Sequence, residues 1–186
     1  MGLAKFKLLD AAAKRFYADG IAATGIDAIT SEARVAKMSL YNNFASKDEL
    51  VVAYLDRRHQ EWLDLLDQRT RQARTPTQRI LAVFDAYVDH ANLAYEHGFR
   101  GCGLLNGAAE LAAGHPGRET VRTHKREVRQ LLAERCRIAR VFPDPDGLAE
   151  HLFLLVEGAV VNAGLAGNDK QLKRARLLAE RILADG

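Results

Sequence analysis

At 186 residues, 48% hydrophobic and 27% charged, the chain has the make-up of an ordinary soluble globular protein with apolar material for one domain or two small ones. A net charge of +3 permits contact with a polyanion without demanding it. Two distant cysteines, Cys102 and Cys136, lack a C-x-x-C partner, and six histidines include no H-x-x-x-H pair, so a disulfide framework, a metal site or any other cofactor is not expected.

Ala, Leu, Arg and Glu dominate and strand-type alternation is hard to find, so the predicted fold class is all-α. Helical spacing of Phe6, Leu8, Leu9, Ala12, Ala13, Phe16 and Tyr17 predicts a first helix over residues 4–18, stopped by Gly20. Lys5 and Lys7 are followed by this amphipathic pattern, and no apolar signal core is expected at the N-terminus. Thr24 is placed to cap a short second helix, with Asp27 three residues on in a capping-box manner. A turn at 34–36 leads to a third helix over 37–44. Ser46 and Glu49 form an S-x-x-E capping box that opens a long fourth helix reaching about residue 71.

Thr75-Pro76 starts the fifth helix, with Ile80, Phe84, Tyr87, Val88, Ala91 and Tyr95 on one face and Gly98 as its end. The glycine-rich stretch 98–107 lacks the G-x-x-x-x-G-K-[ST] spacing of a phosphate loop and leads into a short helix through 112. A basic helix runs over 118–141; its stripe of Arg118, Arg122, Lys125, Arg126 and Arg129 reads as a solvated face. Pro143 and Pro145 break the chain, and Asp146 is placed to cap the helix after the break. The last two helices cover 148–165 and 170–184. The most apolar run, 152–161, is interrupted by Glu157 and short for a bilayer, so a reduced, cytoplasmic protein without membrane contact is expected. A small domain of three helices over 1–46 precedes a larger helical domain over 47–186.

Residues 24–50 carry the chemistry. In a helix-turn-helix the first helix crosses the DNA backbone and the second presents its N-terminal side chains to base edges in the major groove. Ile26, Ile29, Ala33, Val35, Leu40 and Phe44 have the spacing to lock two such helices together. Lys37, Met38, Ser39, Tyr41, Asn42 and Asn43 are left on the outer face. Ser and Asn hydrogen-bond base edges, and Tyr and Lys reach phosphates. Lys47 stands at a helix N-terminus, where the dipole and the cation both favour a phosphate oxygen. Each residue alone fits a solvated helical hairpin; the turn, the aromatic and the Ser46 cap at fixed spacing do not.

The block resembles the tetracycline-repressor (TetR) family of bacterial transcription regulators. The matching residues are Ala12 and Phe16 before Gly20, then Thr24, Ile29, Ala33, Val35, Lys37, Leu40-Tyr41, Phe44, Lys47 and Leu50. The resemblance implies recognition-helix contacts from Lys37, Ser39 and Asn42, phosphate contacts from Tyr41 and Asn43, and flanking phosphate contacts from Thr24 and Lys47. Three positions depart from the pattern. Arg34 stands at the usual turn glycine, where a left-handed backbone costs about 1 kcal/mol. Thr30 replaces a small alanine. Ala36 replaces a hydroxyl cap worth roughly 1 kcal/mol.

The resemblance also implies a ligand-binding and dimerisation domain, a homodimer on a palindromic double-stranded operator, and an unknown small-molecule effector. It implies no enzyme activity, and no nucleophile–base pair is visible. Residues 148–165 are apolar nearly all round, and Leu172, Ala175, Leu178, Ala179 and Ile182 form a stripe, so the last two helices suit a two-fold four-helix interface. Candidate ligand contacts are Trp62, Phe84, Tyr87, Asn106, His124, Phe153 and Glu157, of which Glu157 needs a partner in an apolar helix. The expected regulator is a repressor released when ligand tilts helix four and splays two recognition helices that must sit ~34 Å apart. A transcriptional activator, or a redox-responsive regulator acting through Cys102 beside Arg100, is the alternative.

Overall fold

A computed structural model describes residues 2–140 and 142–185, and among them every regular element is a helix. The order is α1 (Leu3–Ala18), α2 (Ile26–Ala33), α3 (Lys37–Tyr41), α4 (Lys47–Gln72), α5 (Pro76–Ala91), α6 (Gly103–Glu110), α7 (Pro116–Ala139), α8 (Pro145–Ala166) and α9 (Lys170–Ala184). The expected end of the seventh helix at Val141 lies outside the described residues.

Local signals account for most boundaries. The Ser46 hydroxyl accepts the Glu49 N–H at 3.1 Å, and the Glu49 carboxylate reaches back to the Ala45 N–H at 2.6 Å. Thr75 and Gln78 form a complete capping box at α5, with Pro76 in the first turn. Three expectations are corrected. Thr24 does not cap α2, because its hydroxyl donates to the Gly20 carbonyl at 2.6 Å and Gly25 takes the cap position without a side chain. Asp144, not Asp146, caps α8 by accepting the Gly147 N–H at 2.9 Å. Helix α5 stops at Ala91 rather than near Gly98, and Tyr95 instead stacks on Tyr17 with ring centroids 4.3 Å apart.

Two compact units emerge. The first comprises Met1–His59, Tyr95–His97 and Gly103–Arg122; the second comprises Gln60–Ala94, Gly98–Cys102 and Thr123–Gly186. The expected boundary after residue 46 therefore falls inside the first unit, which takes in the N-terminal half of α4 and all of α6. The reason is packing. Helix α1 contacts α2, α3 and α6, and the core joins Leu8, Ala12, Phe16, Ile29, Leu40, Phe44 and Leu50 to Tyr54 and Leu55 of α4. A side chain at Gly107 of α6 would meet Leu55 at 2.9 Å, so glycine is what lets this helix approach α4.

In the second unit α9 packs on both α5 and α8. Ile80, Phe84, Leu152, Val156, Val160, Leu172, Ala175 and Ala179 are buried there. Helix α8 is long and apolar enough, by length and composition, to cross a bilayer, although the run 152–161 alone is not. Its buried face is nonetheless covered by α5 and α9. The expected α9 stripe is shifted: Leu183 is buried and Leu178 is exposed.

Candidate nucleic-acid interface and buried polar cluster

The turn between α2 and α3 forms as a helix-turn-helix needs, despite the three departures. Arg34 adopts the left-handed conformation (φ 53°, ψ 48°) expected of the residue at the turn-glycine position, and Val35 N–H closes on the Thr30 carbonyl at 3.1 Å. Thr30 is buried and donates its hydroxyl to its own helix, to the Ile26 and Asp27 carbonyls at 3.1 and 3.2 Å. Ala36 caps α3 with backbone alone, accepting the Ser39 N–H at 2.8 Å.

The seven residues expected at DNA divide into two groups. Lys37, Tyr41 and Asn42 are exposed on and just after α3, and Ser39 is half-buried beside them. Lys37 pairs with Asp27 at 2.7 Å, a hydrogen-bonded ion pair that raises the lysine pKa. The other three are tied to backbone. Asn43 donates to the Ser39 carbonyl at 2.7 Å, and the Thr24 hydroxyl is buried. Lys47 donates to the Ile21 carbonyl at 2.6 Å, with its ammonium 6.0 Å from the Phe16 ring centroid. Lys47 thus braces the loop before α2.

Glu110 of α6 braces the same loop by accepting the Ala22 N–H at 2.8 Å. Glu32 binds Arg15 at 2.6 Å and Lys14 at 3.0 Å, joining α1 to α2; these hydrogen bonds hold its carboxyl below the usual carboxylate range. Two further residues stand at this surface, Met38, which spacing placed on the outer face, and Arg34, which it did not. Met38 stands 68% exposed on α3, an apolar tip suited to a thymine methyl, and Arg34 carries an exposed guanidinium at the turn. The signal for Arg34 was its place at the turn before α3.

In the second unit, four of the expected ligand residues come together. Trp62 lies 5.4 Å from Tyr87 and 5.2 Å from His124, centroid to centroid. Lys125 sits 5.8 Å from the Tyr87 ring centroid and pairs with Glu157 at 2.7 Å. Its ammonium also lies 4.0 Å from Cys102 Sγ. Burial opposes the charge on Lys125, but Cys102, Tyr87 and Glu157 outweigh it and raise the lysine pKa. Burial likewise raises the Tyr87 phenol, with Lys125 opposing. Phe84 is core. Phe153 lies beneath the Arg129 guanidinium, 4.6 Å from its ring, and Asn106 belongs to the first unit on α6.

The solvated reading of the α7 basic stripe is corrected at two positions. Lys125 is the partner Glu157 required, and Arg118 donates to the Ala108 and Leu111 carbonyls at 2.6 and 3.3 Å. The partly buried Lys125 reads as solvated because its spacing matches that of exposed neighbours such as Arg122 and Arg126. The second cysteine, Cys136, is buried and its thiol is pushed up to about 11, which leaves it protonated at neutral pH.

Comparison with known proteins agrees with this geometry. The profile of bacterial regulatory proteins of the tetR family matches residues 8–54, and that of the tetracyclin repressor-like C-terminal domain matches residues 76–178. The transcriptional regulator AcuR of Cereibacter sphaeroides is 29% identical over 171 residues, spanning 88% of this chain and 77% of that protein. The HTH-type transcriptional activator FasR of Mycolicibacterium smegmatis is 34% identical over 99 residues, spanning 53% of this chain and 43% of that protein. A TetR-family transcriptional regulator from Streptomyces coelicolor superposes with a TM-score of 0.87 at 30% identity, covering 98% of this chain and 95% of the other.

Proposed function

This chain belongs to the tetR family of bacterial regulatory proteins, DNA-binding regulators of transcription, and from that premise we propose that it is a homodimeric repressor released from a palindromic operator by a small molecule. The observation that carries the proposal is the exposed face of Lys37, Met38, Tyr41 and Asn42, set on a short helix whose Leu40 is fully buried. That is the side-chain mixture a recognition helix uses on base edges and phosphates. Lys37, Ser39, Tyr41 and Asn42 contact DNA directly. Asn43, Thr24 and Lys47 act at the same surface chiefly by holding its backbone in place.

Dimerisation has its own support. On α8, Leu154, Gly158, Val161 and Leu165 recur at helical spacing and all are exposed, and Leu177 and Leu178 are exposed on α9. A stripe of this kind needs a cover, and a second copy meeting it about a two-fold axis supplies one. Two such subunits place recognition helices in successive major grooves, ~34 Å apart.

The effector site is the cluster of Trp62, Tyr87, His124 and Glu157, with Lys125 added. Trp62 belongs to α4, an unbroken helix whose first residue, Lys47, braces the loop before α2. A ligand that shifts α4 at Trp62 acts, by ~22 Å of helix, on the block that reads DNA. It lowers operator affinity by its differential affinity for the two arrangements. A second reading, redox control through Cys102, is favoured by the Lys125 ammonium 4.0 Å from its sulfur. It predicts peroxide-sensitive DNA release that Cys102→Ser abolishes.

The test is a gel shift and footprint, at stated salt, on DNA flanking the protein's own gene, with transcription from that promoter measured alongside. A protected palindrome, weakened in Tyr41→Ala and Lys47→Ala, with transcription falling on addition of protein, supports the proposal. Sequence-independent binding at every salt concentration would sink it, and rising transcription would make the protein an activator.

A further inference from the structure

Two buried hydrogen-bond donors in the second unit stand side by side without acceptors. Trp62 and Tyr87 are each 2% exposed, with ring centroids 5.4 Å apart. Among the described residues, no acceptor lies within hydrogen-bonding geometry of Trp62 Nε1 or Tyr87 Oη, and the group that acts on the phenol oxygen is the Lys125 ammonium, itself a donor. Folded proteins pair nearly all such groups, because an unmet buried donor costs about 1–3 kcal/mol. Two on touching rings call for a reason beyond packing.

We propose that Trp62 and Tyr87 form the polar end of an effector site and donate hydrogen bonds to the uncharged carbonyl group of a compact apolar molecule. The inference rests on the ligand-responsive reading above and adds the chemical class of the ligand. An indole N–H only donates, and a phenol whose deprotonation burial disfavours keeps its proton and donates too. A ligand offering only donors therefore leaves both groups unmet. A carboxylate would satisfy them, but the charges beside them are already matched. Lys125 holds Glu157 at 2.7 Å, and both side chains are mostly buried. An added anion would either bring an unbalanced charge into the site or strip Glu157 of its partner, and both are costly out of water. A neutral acceptor meets the donors and leaves the ion pair intact. Tyr87 and His124, with ring centroids 5.4 and 5.2 Å from that of Trp62, give the two donors aromatic surroundings suited to an apolar molecule.

Trp62 is the chain's only tryptophan, so its emission reports from the site alone. The probes are cyclohexanone and its anionic counterpart cyclohexanecarboxylate, titrated by fluorescence and by calorimetry. Cyclohexanone is expected to bind saturably with a change in Trp62 emission, and the carboxylate about tenfold or more weakly. Tyr87→Phe is expected to weaken cyclohexanone about tenfold, and Trp62→Phe, followed by calorimetry, to do the same. Without ligand, Tyr87→Phe is expected to raise Tm, because it removes an unmet buried hydroxyl; saturating cyclohexanone then stabilises it less than the wild type. No saturable binding, tighter binding of the carboxylate, or equal ketone binding by both variants overturns the inference. Operator binding by the wild type is measured in parallel. If it persists while ketone binding fails, only this inference falls; if it is absent, the regulatory reading falls with it.

Discussion

Polar side chains behave differently in the two units. In the helix-turn-helix block four of them close on nearby backbone, Thr24 on Gly20, Thr30 on Ile26, Asn43 on Ser39 and Glu49 on Ala45, while Lys47, Glu32 and Glu110 tie in more distant segments. Each of those four bonds spans four residues, so much of the block's shape rests on short-range bonds. In the second unit they close on partners far along the chain: Lys125 on Glu157, Arg135 on Thr70, Arg176 on Asp85. There the polar groups hold helices to one another, and two donors at Trp62 and Tyr87 remain unmet. Short-range bonds thus shape the reading block, whereas long-range pairs join the helices of the second unit and leave two buried donors there without an acceptor.

The strongest way to break this contrast is to remove the apolar anchor beneath the reading face. Leu40 is fully buried, so Leu40→Ala should cost about 2–5 kcal/mol in denaturant titrations and abolish operator footprints. A loss of only a few tenths would mean the polar backbone bonds hold the block without its core.

Removing one partner of each kind of ion pair comes next. Glu157→Ala leaves Lys125 uncompensated among buried groups and should cost roughly 1–3 kcal/mol, somewhat less than breaking a fully buried pair. Asp27→Ala, which frees the exposed Lys37, should leave Tm unchanged and tighten DNA binding. Equal destabilisation by the two would erase the distinction between the units.

Arg34→Gly sharpens the account of the turn. It relieves a left-handed arginine and should stabilise the protein by up to about 1 kcal/mol, offset in part by a more flexible unfolded chain. A fall in Tm would show that the Arg34 side chain holds the turn.

The smallest effect is expected with acid. The Glu32 pKa is lowered by its hydrogen bonds to Arg15 and Lys14, so its stabilisation is complete above the ordinary carboxylate pKa and is lost as pH falls through the lowered value. Glu32→Gln should flatten the acid limb of a Tm-against-pH curve while leaving the alkaline limb unchanged.

Much of the first unit was legible because its signals are local. The Ser46-x-x-Glu49 start, the Gly20 stop and the left-handed Arg34 each depend on a few neighbouring residues, as does the Thr75-Pro76 start in the second unit. Where two local signals competed, spacing misled. Thr24 and Asp27 satisfied the pattern of a cap, but a hydroxyl four residues after the Gly20 carbonyl had a nearer partner. Asp146 lost the α8 cap to Asp144, whose carboxylate is positioned just before the first turn.

By itself the sequence determined the helices, the reading block and the family to which it belongs, because caps, apolar periodicity and turn conformation are short-range properties of the chain. Tertiary structure decided which charges are solvated and which are buried. Lys125 and Arg122 sit on one basic stripe, yet one is paired inside with Glu157 and the other meets Glu119 on the surface. It also decided that Trp62, Tyr87 and His124, from three different helices, share one cluster. Burial and long-range pairing depend on how helices pack, and helical spacing specifies the face a residue occupies without specifying what that face meets.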